Sequence, residues 1–416
     1  MTWAKNLIQT LIGIGLLLGL AFGLIGLFRS VSGSPTASQS QQTIIPTAEA
    51  VDTVASALPQ TLPPVTPSPI PTREPRSGDV LFESAGELYR QQVDEQGTPI
   101  GSAVRVPINQ GVDEAIAATY PSPNGQQVIF FKEKAGPPGS ENIVSMYVLM
   151  LPNWQVRPLF GGVGLDLSLK FFGWHPNGRQ VVYFAGGVQL LDVNTDERTL
   201  VVQPGQWDNS PYQDVNVDGV AFSPDEKKMA VSFTRTGEGS EIWMANADGS
   251  EPQLLFRENF RVGLLTWSPD GQLIAFIGNG VEVMQADGQN RRTLGMNFIG
   301  GFPPAWSPDS RYIAFTAEEE APDKSLSGTN QALFQGRKIH ISNVLTGEER
   351  RLIGDQTGGE IGPTWSPDSA HVMFLSNRSG ASEVWLASLN STELRQLTSD
   401  TRPKRWAPVW LAASGR

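Results

Sequence analysis

The chain has 416 residues, which allows two or three domains of ordinary size or one large repeat array. Hydrophobic residues make up 39%, and the 43 glycines bring the apolar share into the range of globular proteins, which excludes a wholly disordered chain. The formal net charge of −11 repels phosphate, so we expect no nucleic-acid partner. With 0 Cys and 3 His, the chain has no disulfide, thiol nucleophile or cysteine–zinc site, and little histidine for catalysis.

The first element along the chain is an uncharged apolar segment, Leu7–Phe28. As a helix its 22 residues span about 33 Å, enough to cross a hydrocarbon core of about 30 Å. A cleaved signal peptide has a shorter apolar stretch with a small-residue cleavage site close behind it, whereas the candidate alanines here start at Ala48. We therefore predict an uncleaved transmembrane anchor over residues 1–29, with a cleaved signal peptide as the alternative. The chain beyond the anchor is expected outside the cytoplasm, although the charge bias from Lys5 and Arg29 is weak.

Residues 30–77 form the second segment, which is rich in Pro, Ser, Thr, Gln and Ala. Repeated proline removes backbone donors and favours extended polyproline conformations, so this segment cannot build a core. We predict a disordered stalk that holds a folded domain, residues 78–416, away from the membrane.

The rest of the chain repeats one short motif: an aromatic residue, a small residue, Pro, and then Asp or Asn. The copies begin at Tyr120, Trp174, Phe222, Trp267, Trp306 and Trp365. Their prolines are 39 to 59 residues apart, which is typical of the four-stranded blades of a propeller. Because Pro fixes φ and Asp or Asn tolerates turn conformations, the motif predicts a tight hairpin turn, and the alternating residues after it predict a strand.

The two ends of the repeat array complement each other. Asp79–Ser84, Glu87–Val93 and Ala103–Ile108 resemble the second, third and fourth strands of a blade that lacks a first strand, and Trp406–Leu411 resembles a first strand alone. Joined together they complete one blade and close a ring, which removes its exposed sheet edges. The sequence therefore predicts an all-β, seven-bladed β-propeller closed by its N- and C-terminal strands and preceded by one transmembrane helix, with six blades as the alternative.

The pattern W-S-P-D-G-x-x-I-A-F, best developed at Trp267–Phe276 and Trp306–Phe315, resembles the repeat of TolB-like propellers, which is related to the WD repeat. The resemblance implies the propeller fold; in that family the repeat occurs in periplasmic TolB, in tricorn-type proteases and in the propellers of prolyl peptidases. TolB carries an N-terminal α/β domain that this chain replaces with the predicted anchor and stalk, and no residues remain for a hydrolase domain. Two copies depart from the motif. Tyr120 lies three residues before its Pro instead of two, and His175 occupies the position of the usual Ser.

No catalytic motif was found: the chain has no G-x-S-x-G, no phosphate-binding loop and no H-E-x-x-H. His175, His340 and His371 fall in different repeats, and we interpret them as structural, with His371 exposed to solvent. The motif acids and tryptophans recur once per repeat, which favours turn capping and packing between blades over a ligand site. These residues are Asp225, Asp270, Asp309 and Asp368, and Trp174, Trp267, Trp306 and Trp365.

Three long connections fall on the side of the ring opposite the motif turns: Lys132–Asn142, Gln203–Asn216 and Ala317–Gly336. Insertions in a repeat array cluster on its working face, so these loops carry the candidate binding residues. The candidates are Trp207, Asp208, Tyr212 and Asp214 in the second loop, and Glu318, Glu319, Glu320 and Asp323 in the third. The alternative is a hydrated, mobile loop in each case.

These patterns predict a single-pass membrane protein whose extracytoplasmic propeller binds a protein or peptide partner without catalysis, cofactor or metal. One alternative is a hydrolase or lyase that acts on a sugar or peptide at the mouth of the ring, with acidic loop residues as acid and base. The other is a purely structural envelope protein.

Overall fold

The computed structural model describes residues 78–94, 96–111, 113–136, 143–151, 153–160, 170–203, 205–207, 215–235, 237–296, 298, 302–320, 330–354 and 357–411. The predicted anchor, residues 1–29, and the predicted stalk, residues 30–77, lie outside this part of the chain. Within the described ranges no helix is both long and apolar enough to cross a membrane.

The described chain is almost entirely β-strand. The first half contains β1 Gly78–Ser84, β2 Glu87–Val93, β3 Pro99–Arg105, β4 Glu114–Pro121, β5 Gln127–Lys134, β6 Ile143–Met150, β7 Gln155–Phe160, β8 Lys170–Trp174, β9 Gln180–Phe184, β10 Val188–Asp192, β11 Arg198–Val202, β12 Val215–Phe222, β13 Lys228–Arg235, β14 Gly239–Asn246 and β15 Gln253–Glu258. The second half contains β16 Gly263–Trp267, β17 Leu273–Ile277, β18 Val281–Gln285, β19 Arg292–Gly295, β20 Ala305–Trp306, β21 Tyr312–Glu318, the short helix α1 Asn330–Phe334, β22 Arg337–Asn343, β23 Glu349–Arg351, β24 Glu360–Trp365, β25 His371–Ser376, β26 Glu383–Ser388, β27 Leu394–Gln396 and β28 Val409–Leu411.

The strands form seven four-stranded antiparallel sheets, the blades of a propeller. From the inner to the outer strand they are blade 1 β28-β1-β2-β3, blade 2 β4-β5-β6-β7, blade 3 β8-β9-β10-β11, blade 4 β12-β13-β14-β15, blade 5 β16-β17-β18-β19, blade 6 β20-β21-β22-β23 and blade 7 β24-β25-β26-β27. The described apolar core is correspondingly divided into seven clusters, one at each interface between adjacent blades.

Blade 1 closes the ring as the sequence predicts. β28 pairs antiparallel with β1, with Asp79 opposite Leu411 and Leu81 opposite Val409. The seven-bladed prediction is confirmed, and the six-bladed alternative is excluded.

The outer strand of blade 1 differs from the prediction, because β3 covers Pro99–Arg105 rather than Ala103–Ile108. The β2–β3 pairing shifts register between Arg90 and Gln92, and there the side-chain amide of Gln91 donates to the carbonyl of Ile100 at 3.2 Å. This bond allows β3 to begin at Pro99, before the predicted start at Ala103. Pro107, which has no backbone N–H, follows the strand closely and cannot continue the ladder.

The motif turns are built by their Ser and Asp side chains. In the copy at Trp267 the Ser268 hydroxyl donates to Asp270 Oδ1 at 2.6 Å, and the Gln272 amide donates to the same oxygen at 3.1 Å. The other copies with Asp make the same pair of hydrogen bonds at Asp225, Asp309 and Asp368. The predicted turn-capping role of the motif acids is therefore confirmed.

The motif tryptophans join neighbouring blades. Trp267 Nε1 donates to the carbonyl of Ala221 in the preceding blade at 3.1 Å. Trp174 and Trp365 make the equivalent bonds to the carbonyls of Tyr120 and Ala305 at 2.8 and 2.9 Å. Trp306 donates instead to Thr266 Oγ1 at 3.1 Å. The interpretation of these residues as packing between blades is confirmed.

Since neighbouring strands are antiparallel, the connections of each blade alternate between two faces of the ring. The "turn face" carries the motif turns and the turns between third and fourth strands. The "loop face" carries the connections between second and third strands and those between blades. The three long connections selected from the sequence belong to the loop face, although Lys132–Lys134, Val215–Asn216 and Ala317–Glu318 are strand residues.

Candidate functional site

The inner strands of all seven blades surround a cavity of about 350 Å³ on the axis of the ring. Its walls are mainly apolar and aromatic. The larger lining side chains are Tyr120, Phe171, Phe172, Leu264, Leu265, Phe302 and Trp406, together with Pro121, Pro303, Pro304 and Pro363.

β-bulges shape this cavity. In five blades the pairing of the first and second strands shifts register, and residues at each irregularity line the cavity. The lining residues at the bulges are Ala118, Phe172, Asp218, Leu264, Leu265, Gly362 and Pro363. A bulge inserts an extra residue and re-aims side chains, which is why the alternation of these strands breaks where they face the axis.

Two of the bulged residues hold strained backbone conformations. Ala118 has φ 36° and Leu264 has φ 50°, a region that residues with a Cβ seldom occupy. Gly362, at φ 66°, has no room for a Cβ, which would lie 2.9 Å from the Cβ of Ala407. Strain of this kind persists where the surrounding structure over-determines it, and it concentrates at binding and catalytic sites.

Among the described residues of the cavity wall, the charged group is Asp218, whose side chain is 0% exposed. Arg261 donates to it from Nε at 2.8 Å and also from Nη2, and the Lys170 ammonium lies 3.4 Å away. Burial, together with the nearby Arg261, lowers the pKa of Lys170, and Asp218 opposes that shift. The carboxylate of Asp218 is thus already paired with two cations.

Tyr120 is the other titratable side chain among the described residues that line the cavity. Burial raises its pKa to about 12, so the phenol stays protonated at neutral pH. Within the described residues the cavity thus holds no pair of carboxylates arranged for acid–base chemistry.

Of the candidates in the second long connection, the structure describes Trp207. Its indole ring packs against Phe233 and Trp243, with ring centroids 5.6 and 6.0 Å away. Its Nε1 donates to the carbonyl of Gly249 at 3.1 Å. Trp207 is therefore partly buried at the interface of blades 3 and 4. Asp208, Tyr212 and Asp214 lie outside the described residues.

Of the acidic candidates in the third connection, Glu319 is held in a polar cluster. Its Oε1 lies 2.8 Å from His340 Nε2 and accepts from Arg351 Nε at 2.5 Å. His340 Nδ1 lies 2.6 Å from Glu349 Oε1, so the imidazole bridges two carboxylates. Burial raises the pKa of Glu319, but the hydrogen bonds from His340 and Arg351 outweigh it and leave the pKa below the usual value.

Glu319 and Glu320 also line a second, more polar cavity of about 410 Å³ on the loop face, between blades 6 and 7. Phe334 at the end of α1 is 1% exposed and packs into the core beside blade 7. This contact anchors the third long connection where it leads into β22. Gly359 is required there, because a Cβ would lie 1.8 Å from the Phe334 carbonyl oxygen. Glu318 is at the end of β21, and Asp323 lies outside the described residues.

The other two histidines have structural surroundings. His175 is buried against Phe222, with ring centroids 4.6 Å apart, and burial lowers its pKa. His371 is half-buried rather than solvent-exposed, because its ring turns toward Asp368, with Nδ1 3.9 Å from the carboxylate. In the described part of the chain no group of three His, Cys, Asp or Glu residues is placed to hold a metal ion.

The axial cavity was not predicted from the sequence. The candidate residues came from the loops, whereas the cavity is formed by the inner strands just before each motif. The signal in the sequence is the loss of alternation there, for example Phe171-Phe172-Gly173 and Phe302-Pro303-Pro304. A single strand segment does not show that seven such segments meet on one axis.

The comparisons with known proteins agree with the fold. No family model matches the chain. The chain is 29% identical over 272 residues to the Tol-Pal system protein TolB of Bordetella pertussis, covering 55% of this chain and 54% of that protein. It is 25% identical over 167 residues to an uncharacterized protein of Agrobacterium fabrum, covering 36% of this chain and 55% of that protein. The chain thus spans about half the length of these curated relatives.

Among solved structures, an oligogalacturonate lyase in complex with manganese superposes with a TM-score of 0.50 at 15% identity, covering 77% of this chain and 84% of that one. Identity this low shows the shared fold alone.

The described part of the chain defines a closed seven-bladed β-propeller with an apolar axial cavity. Its sequence is similar to that of the TolB relative over 272 residues.

Proposed function

We propose that this protein is a non-catalytic binding scaffold that takes an extended, apolar segment of a partner protein into its axial cavity. The observation that carries the proposal is the cavity of about 350 Å³, walled by inner strands of every blade and shaped by bulges. Pockets that bind ligands are concave, mostly apolar and supplied with a few polar groups, and this cavity has that composition.

The chemistry of the cavity favours binding over catalysis. Its carboxylate, Asp218, is already paired with Lys170 and Arg261, and its phenol, Tyr120, remains protonated. A glycosidase or lyase mechanism would use carboxylates left free to exchange protons. In this proposal the loop-face candidates Trp207 and Glu319 lie outside the binding cavity, because Trp207 packs between blades 3 and 4 and Glu319 is held by His340 and Arg351.

The proposal retains the predicted placement of the molecule. The apolar segment Leu7–Phe28 anchors the chain, and the Pro-rich residues 30–77 separate the propeller from the membrane on the extracytoplasmic side. The repeats of the propeller support this placement. They resemble those of periplasmic TolB, and a Tol-Pal system protein TolB is among the sequence relatives.

Site-specific photocrosslinking in native membranes tests the proposal. A benzoylphenylalanine is placed at Phe172 in the cavity wall, and in a control chain at Leu345, which is 54% exposed on the turn face. We expect discrete adducts with another protein from position 172 and none from position 345. Absence of an adduct at position 172, or the same adducts at both positions, contradicts the proposal.

A further inference from the structure

Three successive blades place charged side chains beside the axial cavity on its loop-face side. Lys170 is the first residue of β8, Asp218 lies at the bulge of β12, and Arg261 lies in the connection from β15 to β16. Arg261 Nε donates to Asp218 Oδ2 at 2.8 Å, and Lys170 Nζ lies 3.4 Å from Asp218 Oδ1. These three residues, the "Asp218 cluster", set two cations against one carboxylate and have one positive charge in excess.

The two cations of the Asp218 cluster are accessible. The side chains of Lys170 and Arg261 are 28% and 32% exposed, whereas that of Asp218 is buried. The carboxylates at the starts of two other inner strands, β4 and β24, are paired with cations that are themselves buried. These pairs are Glu114 with Lys132, and Glu360 with Lys338 and Arg378. Between these three groups of the described chain, the Asp218 cluster is therefore the one whose cations a ligand reaches.

The positive charge of Lys170 is incompletely compensated. Burial, together with the nearby Arg261, lowers its pKa, although Asp218 opposes the shift. An ammonium group has three donors. The described part of the chain gives it two acceptors, the carbonyl of Val217 at 2.9 Å and Asp218 Oδ1 at 3.4 Å. A second carboxylate would supply both the missing negative charge and a charge-assisted hydrogen bond.

The Asp218 cluster is close enough to the cavity to contact the same ligand. Phe171 and Phe172 directly follow Lys170 in β8, and both line the cavity. Two residues of a strand span about 7 Å. An extended segment whose apolar side chains lie in the cavity therefore brings a residue two or three positions further along to the Asp218 cluster.

We propose that the partner segment carries an acidic side chain, Asp or Glu, beside its apolar stretch, and that this carboxylate binds to Lys170 and Arg261. This inference rests on the proposed function, because it names the chemistry of the segment that the axial cavity takes. Apolar walls alone allow a segment to slide or to enter in either direction. A charged contact at one side of the cavity sets both its position and its direction, since electrostatic complementarity mainly provides specificity.

Selection from a phage-displayed library of random dodecapeptides on the immobilised full-length chain tests the inference. The peptides are fused to the phage through their C-terminal ends, so that their carboxylates come from Asp and Glu side chains. We expect the enriched peptides to place Asp or Glu within three residues of an apolar run. A lack of preference for acidic residues overturns the inference, and this result is read without any variant of the chain.

The affinity of the enriched peptides is then measured on variants. We expect Lys170→Gln to weaken binding by about fivefold or more, because it removes the excess positive charge. The matched control is Lys227→Gln, in a motif turn on the turn face, where the side chain is 77% exposed. We expect that variant to bind the peptides as the original chain does. Equal affinities of the two variants overturn the inference.

A charge series separates the charge of the Asp218 cluster from its packing. Asp218→Asn keeps an acceptor for Arg261 and removes the negative charge, so it should bind the acidic peptides more tightly. Lys170→Gln combined with Asp218→Asn returns the excess to one positive charge and should recover part of the affinity lost in Lys170→Gln. A loss of affinity in all three variants would mean that these residues only support the cavity wall, which overturns the inference.

Phe172→Ala distinguishes a failure of this inference from a failure of the proposed function, because Phe172 lines the cavity and carries no charge. If the enriched peptides need Phe172 but neither prefer acidic residues nor respond to Lys170→Gln, the cavity binds apolar segments and only the acidic contact is wrong. If no enriched peptide loses affinity in Phe172→Ala, the axial cavity is not the binding site.

Discussion

Glu83, at the end of β1, is a carboxyl group that the fold buries. It is 4% exposed, and its oxygens accept hydrogen bonds from the backbone amides of Gly86 at 2.6 Å and Arg405 at 3.0 Å. Burial raises its pKa from 4.5 to about 7, although these hydrogen bonds and the nearby Arg405 and Lys404 oppose the shift. A carboxyl group with a raised pKa therefore lies at the junction between blade 1 and the connection that closes the ring.

The raised pKa predicts a loss of stability with rising pH. Between pH 4.5 and about 7 the folded chain keeps a proton on Glu83 that the unfolded chain releases. The contribution of Glu83 is thus fully present below pH 4.5 and is lost as the pH rises through 7, by about 3 kcal/mol in total. Glu83→Gln cannot titrate, so we expect its free energy of unfolding, measured with urea, to change less between pH 5 and 8.

The control for this prediction is Glu348→Gln, at an exposed position in the turn between β22 and β23. We expect that variant to keep the pH dependence of the original chain. Parallel pH profiles for Glu83→Gln and the original chain would show that Glu83 is not the titrating group.

At the scale of the strand, each blade is stabilised by the residues that join it to its neighbour. The motif tryptophan packs at the interface and its indole N–H satisfies a carbonyl of the preceding inner strand, as Trp267 does with Ala221. Trp385 on β26 is a useful contrast, because its buried Nε1 has no hydrogen-bond partner among the described residues. Trp267 and Trp385 therefore allow a comparison of a tryptophan whose indole N–H is hydrogen-bonded with one whose indole N–H is not.

Replacing each of these tryptophans with Phe tests the hydrogen bond between blades. Trp267→Phe loses the bond and leaves the Ala221 carbonyl unpaired, so we expect a loss of about 1 kcal/mol beyond the change in ring size. Trp385→Phe removes a polar atom that is buried without a partner, and we expect it to be neutral or stabilising by comparison. Urea unfolding of both variants gives the difference, and equal losses would contradict the assignment.

At the scale of the whole molecule, stability depends on closing the ring. The connection from β27 to β28 is pinned by Lys404, which is 0% exposed and whose ammonium lies 2.9 Å from Glu383 and 2.5 Å from Asp400. β28 then pairs with β1, more than 300 residues away in the chain. Contacts this distant form against a large loop-closure entropy, so the buried ion pairs at the closure hold the two ends together.

Lys404→Met should therefore weaken the whole propeller. The variant leaves Glu383, 1% exposed, without its cation, and we expect a loss of about 3–5 kcal/mol in the free energy of unfolding. Lys404→Met combined with Glu383→Gln removes the uncompensated charge and should recover part of that loss. Additive losses in the double variant would indicate that the two residues do not interact.

The sequence by itself determined the class of fold, because each blade is a local unit whose turn is encoded by its own Ser, Pro and Asp residues. It also determined the closure, since Asp79–Ser84 and Trp406–Leu411 are incomplete without each other. Only the tertiary structure decided where the axial cavity lies, because its walls come from seven segments spread over the chain and its shape depends on bulges that local alternation does not specify. The surroundings of Trp207 and Glu319 were also decided by the tertiary structure. Trp207 packs between blades and Glu319 bonds to His340, and in both cases the neighbours are distant in sequence.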